Sequence, residues 1–393
     1  MKRVLVAAVA LAAVVAVPTS ASAAPPPGGQ EIVILGDSYI SGEAGRWAGN
    51  TNQSSSKTDA LGSTAYWDTP TGEAIPGCHR ARSAEVFIGG GVVGHNLACS
   101  GAKTSTAVGS DFKPGIDFYS DAYGRKGQAL MLQELATSKN IDMVVLSIGG
   151  NDFGFASIVQ TCVTNFLLSP SWWPNYCYDD SSVKANFTST ARATNTARIK
   201  QAVLNINTAM TNAGYAQGDW ALLVQTYPSP IPLGTGFRYS QSGYTRQNTG
   251  GCGFWNRDAD WANNSALPAI NQAVRDGAAQ SGLTNIRYLE LSGSMNGRRL
   301  CEKGVGLLEE RGISTWQSPG AVDNSEWIAQ IRTVSTVFGP YQVQESIHPN
   351  YWGQLALRNC VRQAFNNGSV RGGTCTRTST GLTPLGEPVM TLQ

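Results

Sequence analysis

Four short stretches of the chain carry residue types that could transfer an acyl group together. Gly36-Asp37-Ser38-Tyr39 offers a hydroxyl nucleophile and Ile347-His348-Pro349-Asn350 an imidazole base. Ser100-Gly101-Ala102 offers a main-chain donor, and Gly149-Gly150-Asn151-Asp152 a neutral side-chain amide. A nucleophile, a base and donors suited to an oxyanion are what cleaving an ester requires. Each stretch alone has a plainer reading. Asp and Ser cap helices, and Gly, Asn and Asp form turns. The order and spacing of all four give the combination its weight.

Histidine is scarce, which narrows the choice of base to His79, His95 and His348. His79 sits between Cys78 and Arg80 and reads as a packed loop residue. His95 falls in a strand-like segment and reads as structural. His348 precedes Pro349, which biases its backbone towards extended conformations. It lies just before the last helical segment, from where it can reach over a sheet edge towards Ser38.

The elements that must position these residues alternate. Glu31 to Leu35 is a short apolar, β-branched run ending at a glycine, the pattern of a strand buried on both faces. Met143 to Ile148 and Trp220 to Thr226 repeat it, and Val92 to Ala98 and Ile286 to Leu291 do so more weakly. Helical period appears in Gln128 to Ser138, Asn195 to Asn212, Ala266 to Gln280 with Pro268 in its first turn, and Gly353 to Phe365. Strands alternating with helices predict an α/β fold with a parallel sheet covered on both faces. Ser38 then falls at the carboxyl edge of the first strand, where such sheets bind ligands. Residues 44–78, 155–190 and 228–262 fit neither period and are expected to be long loops.

Lys2 and Arg3, the apolar run Val4 to Val17 and the small residues Ala21-Ser22-Ala23 read as an export signal over residues 1–23. The run is about 14 residues, shorter than the roughly 20 a spanning helix needs. Residues 24–30 are expected to be a flexible lead-in, 31–375 a single domain with insertions, and 376–393 a loosely ordered tail. Without Lys2 and Arg3 the basic residues match the 27 acidic ones, so nothing electrostatic calls for nucleic acid or anionic membrane. A secreted monomer without a stable membrane anchor, acting on a small-molecule or lipid ester, is the expectation.

Eight cysteines in an exported chain predict disulfides. Neighbour pairing is the simplest arrangement: Cys78–Cys99, Cys162–Cys177, Cys252–Cys301 and Cys360–Cys375. No Cys-x-x-Cys pair and no clustered histidines suggest a metal, and no cofactor is expected. The chain lacks a Gly-x-Ser-x-Gly elbow and a phosphate-binding P-loop.

With these blocks in place the chain resembles the SGNH hydrolases, the GDSL esterases and lipases, and in particular their exported actinobacterial branch. The resemblance rests on Gly36-Asp37-Ser38-Tyr39 with Ser41-Gly42, then Gly101, Gly150-Asn151-Asp152 and His348-Pro349-Asn350, and covers most of residues 31–366. It implies a three-layer α/β/α sandwich of flavodoxin-like type. It implies Ser38 as nucleophile and His348 as base, with the Ser38 N–H, the Gly101 N–H and the Asn151 amide as oxyanion donors. One position departs: the family usually has Asp three residues before the histidine, where this chain has Glu345. Glu345 is expected to orient the imidazole, with a backbone carbonyl as the alternative. Lipid-type or short-to-medium acyl esters are the expected substrates. Carbohydrate or aryl esters, acyl transfer to another alcohol, and a non-catalytic binding scaffold are the competing readings.

Overall fold

The computed structural model describes residues 26–332 and 343–393. The export signal expected at 1–23 lies outside them. A sheet of seven strands organises the chain: β1 (Glu31–Gly36), β2 (Val93–Asn96), β3 (Ile141–Ser147), β4 (Ala221–Gln225), β5 (Ile286–Glu290), β6 (Gly373–Leu382) and β7 (Pro388–Leu392). Their order is β2-β1-β3-β4-β5-β6-β7. All neighbours up to β6 are parallel, and β6 and β7 pair antiparallel. The first five strands follow the flavodoxin-like order.

The apolar runs make sense in this frame. Ile32, Ile34, Met143, Val145 and Leu223 enter one core. Val33, Leu35, Val144, Leu146, Leu222 and Val224 enter the other. Alternate side chains point to opposite faces, and both faces are dry, so neither polar alternation nor a solvent face appears in the sequence.

Six helices matter for the site: α1 (Ser38–Ser41), α2 (Gln128–Ala136), α3 (Phe155–Leu168), α4 (Ser189–Asn212), α5 (Leu267–Ala279) and α6 (Tyr351–Phe365). Leu132 of α2, Ile199, Val203, Ile206 and Met210 of α4, and Ile270 and Val274 of α5 cover the Val33 face. Leu355, Val361 and Phe365 of α6 cover the other, together with Trp327, Ile328 and Ile331. The three-layer α/β/α architecture expected from the sequence is present. So are all four cystine links, Cys78–Cys99, Cys162–Cys177, Cys252–Cys301 and Cys360–Cys375.

Three stretches of the chain depart from expectation: 155–195, 228–262 and the tail. Residues 155–190 are not one loop, because α3 occupies their first half and buries Ile158, Val163 and Phe166. Its interspersed Thr and Asn mask that stripe. Helix α4 begins at Ser189 rather than Asn195, where the Thr188 hydroxyl caps it by accepting from Ala191 N at 3.1 Å. In 228–262 the last residues are helical (Asn256–Trp261) and run through a π turn (Ala262–Ala266) into α5.

The tail is the third correction. Residues 376–393 are not loose; they complete β6 and form β7. Pro388, Met390 and Leu392 face inward at period two. Glu387 is buried and accepts from Arg362 Nη2 at 2.6 Å and Asn359 Nδ2 at 3.3 Å. Cys375 anchors the start of the hairpin to Cys360 of α6. A Thr-rich strand reads as polar loop until its cross-strand partner is known.

Candidate active site

β1 delivers Ser38 to the sheet edge through a backbone passage that only glycine fits. Gly36 has φ +143°, and a Cβ there would sit 1.9 Å from the Ser147 carbonyl oxygen of β3. Asp37 N donates to that same oxygen at 3.0 Å. The Asp37 carboxylate caps α1 by accepting from Tyr39 N at 3.1 Å, so Ser38 becomes the first residue of a helical turn. Gln128 of α2 fastens the strand end from below, donating to Gly36 O at 2.9 Å and accepting from Gly36 N at 2.7 Å.

His348 is presented by irregular chain. Ile347 before it has φ +62°, a left-handed conformation costly for a β-branched residue. Three hydrogen bonds hold it there. Ile347 N donates to Ala329 O at 3.0 Å, Ala329 N donates to His348 O at 2.9 Å, and the Tyr39 hydroxyl donates to Ile347 O at 2.9 Å. Asn350 then caps α6, accepting from Trp352 N at 3.1 Å and Gly353 N at 3.3 Å.

These two presentations meet. His348 Nε2 lies 2.7 Å from Ser38 Oγ, although 310 residues separate them. Both side chains are buried. Burial pushes the His348 imidazole below its ordinary value, with the Glu43 carboxylate pulling part of the way back. A neutral ring whose Nε2 accepts from the serine is a base ready to take a proton.

The donor blocks close around Ser38. Asn151 Nδ2 donates to Ala102 O at 2.9 Å, which sets the amide beside the Ser100-Gly101 turn. Asp152 ties the same two blocks by accepting from Thr104 N at 3.0 Å and Thr104 Oγ1 at 2.7 Å. Ser100 N donates to Cys78 O at 3.0 Å, so the Cys78–Cys99 link supports the turn as well. Gly101 has φ +82°, and Ser38, Gly101, Asn151 and His348 line one cleft.

Glu345 does not take the place expected of it. Its carboxylate accepts from Trp47 Nε1 at 2.9 Å and from the Tyr66 hydroxyl at 2.5 Å. Two donors from residues 47 and 66 draw the longer Glu side chain away from the ring. His348 Nδ1 is buried without a hydrogen bond of good geometry, yet the Ser346 and Glu345 carbonyls lie close enough to raise its pKa. The other histidines sit apart from this cleft. His79 Nδ1 pairs with the buried Glu43 at 2.7 Å and stacks on Tyr66, and His95 Nε2 meets Glu31 at 2.5 Å.

No protein-family model matches the chain, and no curated protein matches it. Among solved structures it is similar to an extracellular lipase from Streptomyces rimosus, with 19% identity and a TM-score of 0.47 over 86% of this chain and 100% of that one. It is similar to a phospholipase A1 from Streptomyces albidoflavus NA297 at 18% identity and a TM-score of 0.47, covering 87% and 100%. A family two carbohydrate esterase from Clostridium thermocellum, in complex with cellohexaose, aligns at 12% identity and a TM-score of 0.37, covering 88% and 66%.

Two spaces open from Ser38. One is a narrow cavity running inward between α3 and the helix that leads into α5, walled by Phe155, Ile158, Phe187, Phe254, Trp261 and Ile270. Several polar atoms on its wall are engaged by the main chain, while one Asp258 carboxylate oxygen is buried without a hydrogen-bond partner. Asn263 Nδ2 donates to Ala259 O at 2.9 Å, Ser229 Oγ to Ile231 O at 2.9 Å, and Asp258 accepts from Tyr178 N at 3.1 Å. The other is a wider cleft of about 760 Å³ leading outward past His348, Gln344 and the Val159, Val163 and Leu167 side of α3.

Sequence reasoning missed Tyr227. Its hydroxyl donates to the Asp37 carboxylate and accepts from Gly150 N at 3.0 Å, so it stitches the nucleophile block to the amide block. Burial pushes the Asp37 carboxyl up to about 7, against the Tyr227 hydrogen bond. The available signal was position: Tyr227 leaves β4 at the same sheet edge as Ser38 and Gly150. The positioning roles of Tyr39 and Gln128 were missed as well, because they depend on partners 308 and 92 residues away.

Proposed function

We propose that this chain is an exported serine hydrolase of SGNH type, cleaving carboxylic esters with an apolar acyl chain through an acyl-enzyme on Ser38. The observation that carries the reading is the 2.7 Å contact between Ser38 Oγ and His348 Nε2 at the mouth of an apolar cavity. His348 takes the hydroxyl proton as Oγ attacks the ester carbonyl carbon. The carbonyl oxygen becomes an oxyanion, received by the Ser38 N–H, the Gly101 N–H and the Asn151 amide. Collapse expels the alcohol oxygen, which takes the proton from the imidazolium. Water then adds to the acyl-enzyme with His348 again as base, releasing the acid and restoring Ser38. Loss of one oxyanion donor costs on the order of 10²–10³ in turnover.

The apolar cavity favours an acyl chain over a sugar, because its wall offers few hydrogen-bonding atoms to hydroxyl groups. Each buried methylene stabilises by about 0.8 kcal/mol, roughly fourfold in kcat/KM. Rates should therefore climb with acyl length until the cavity is filled. Four disulfides support an oxidising destination, and among the described residues no helix is long and apolar enough to cross a membrane.

The test is an ester series of rising acyl length, with acetylated xylan included and Ser38→Ala as control. Ser38→Ala should abolish hydrolysis and fluorophosphonate labelling while keeping the circular dichroism of the parent. Undiminished hydrolysis by that variant refutes the assignment. A preference for acetylated polymer over medium-chain esters moves the substrate class to carbohydrate. Transfer of the acyl group to an added alcohol in preference to water makes the protein an acyltransferase.

A further inference from the structure

Helix α3 connects the reacting atoms to the outside of the molecule. Phe155 at its start packs edge-on to Tyr39 at 5.7 Å and against His348 at 6.3 Å between ring centroids. Val159, Val163 and Leu167 continue along the cleft wall. Helical rise puts Leu168 about 20 Å from Phe155. There Leu168, Trp172 and Trp173 are 80%, 80% and 74% exposed.

Their exposure is built in. The Cys162–Cys177 link returns the loop to α3. Ser169 Oγ accepts from Asn175 N at 2.9 Å, and Trp173 N donates to Pro170 O at 2.9 Å. These ties hold the loop in a compact turn with both indoles outward. Contiguous apolar exposure of this kind marks a site of interaction.

The charge pattern says with what. From Phe153 to Tyr178 the chain contains no Asp, Glu, Lys, Arg or His. Charges begin only at the base of the turn. Asp179 pairs with Lys184 at 3.2 Å, Asp180 accepts from Asn165 Nδ2 at 2.8 Å, and Arg257 lies over the Tyr176 ring at 5.3 Å. Tryptophan favours the boundary between lipid and water, where its ring is partly apolar and its N–H stays wet. A sugar platform would use the indole faces but gives no role to Leu168.

We propose that Leu168, Trp172 and Trp173 dock this protein on the neutral or zwitterionic surface of a lipid aggregate, and that the α3 wall leads an ester from that surface to Ser38. The proposal rests on the esterase reading for its purpose, but docking itself needs no catalysis. With no basic residue at the tip, anionic lipid should add nothing.

Binding of full-length Ser38→Ala protein to phosphatidylcholine vesicles tests it by sedimentation. The parent Ser38→Ala protein should partition onto the vesicles, and adding either Trp172→Ala or Trp173→Ala should weaken partitioning about tenfold. Including phosphatidylserine should change it by less than about twofold. In protein that keeps Ser38, the double Trp variant should lose more than about tenfold of its rate on emulsified ester. Its rate on a water-soluble short-chain ester should stay at the parent level. Absence of vesicle binding, equal binding by the double variant, or Trp-dependent binding to insoluble xylan in place of vesicles overturns the proposal. Failure to hydrolyse the soluble ester would instead sink the catalytic reading, and vesicle binding is measured without it.

Discussion

Ser38 and His348 face each other at 2.7 Å, yet they are held by opposite means. Ser38 rides on regular structure: a fully buried strand, a glycine passage and the first residue of a capped turn. His348 stands on irregular chain whose left-handed Ile347 is kept in place by Ala329 and by Tyr39, some three hundred residues away. The geometry of Ser38, the proposed nucleophile, is therefore secured by the sheet, and that of His348, the proposed base, by long-range hydrogen bonds. The difference implies that strand-side damage registers as lost folding and loop-side damage as lost catalysis.

Gly36→Ala is the severest test of the strand side. A Cβ 1.9 Å from Ser147 O forces β1 and β3 apart, and the expected cost is roughly 3 kcal/mol or more. Chemical denaturation would register it, and a variant as stable as the parent would erase the distinction. Tyr39→Phe probes the loop side by removing the donor to Ile347 O at 2.9 Å. Stability should drop by about 1 kcal/mol, with a disproportionate fall of about tenfold in kcat because a misplaced base costs rate steeply. Equal, small changes in both would show that the loop holds itself.

Glu345→Gln sharpens the comparison further. Glu345 serves Trp47 and Tyr66 rather than the imidazole, so kcat/KM should fall less than tenfold, against the roughly 10⁴ expected for removing an orienting acid. A loss of the larger size would restore Glu345 to the ring. The smallest effect is in pH. Burial holds His348 below the ordinary 6.5, and only the neutral ring accepts a proton. Activity should thus persist below pH 6.5 and fall only at more acidic pH, as the imidazole is protonated. A pH–rate profile with its acid limb above 6.5 contradicts that electrostatic picture.

Much of this was written in local sequence. The β-branched runs at Glu31 to Leu35 and Met143 to Ile148 announce a parallel sheet because both faces of such strands are dry. Each cysteine pairs with its neighbour in sequence, across separations of 15 to 49 residues. The tail at 376–393 and helix α3 were not legible. Their apolar positions are interrupted by Thr and Asn, and only the partner surface shows which side is buried. Spacing along the chain places Glu345 near His348 but says nothing of competing donors such as Trp47 and Tyr66.

The sequence by itself determined the parallel strands β1 to β5 and the residue types able to do acyl transfer, because each follows from neighbours close along the chain. It suggested the cystine pairing only as the simplest arrangement. Tertiary structure alone decided that Ser38 meets His348 and that Tyr227 joins Asp37 to Gly150. Those contacts span from 77 to 310 residues. Their geometry depends on how whole layers pack, which no local pattern encodes.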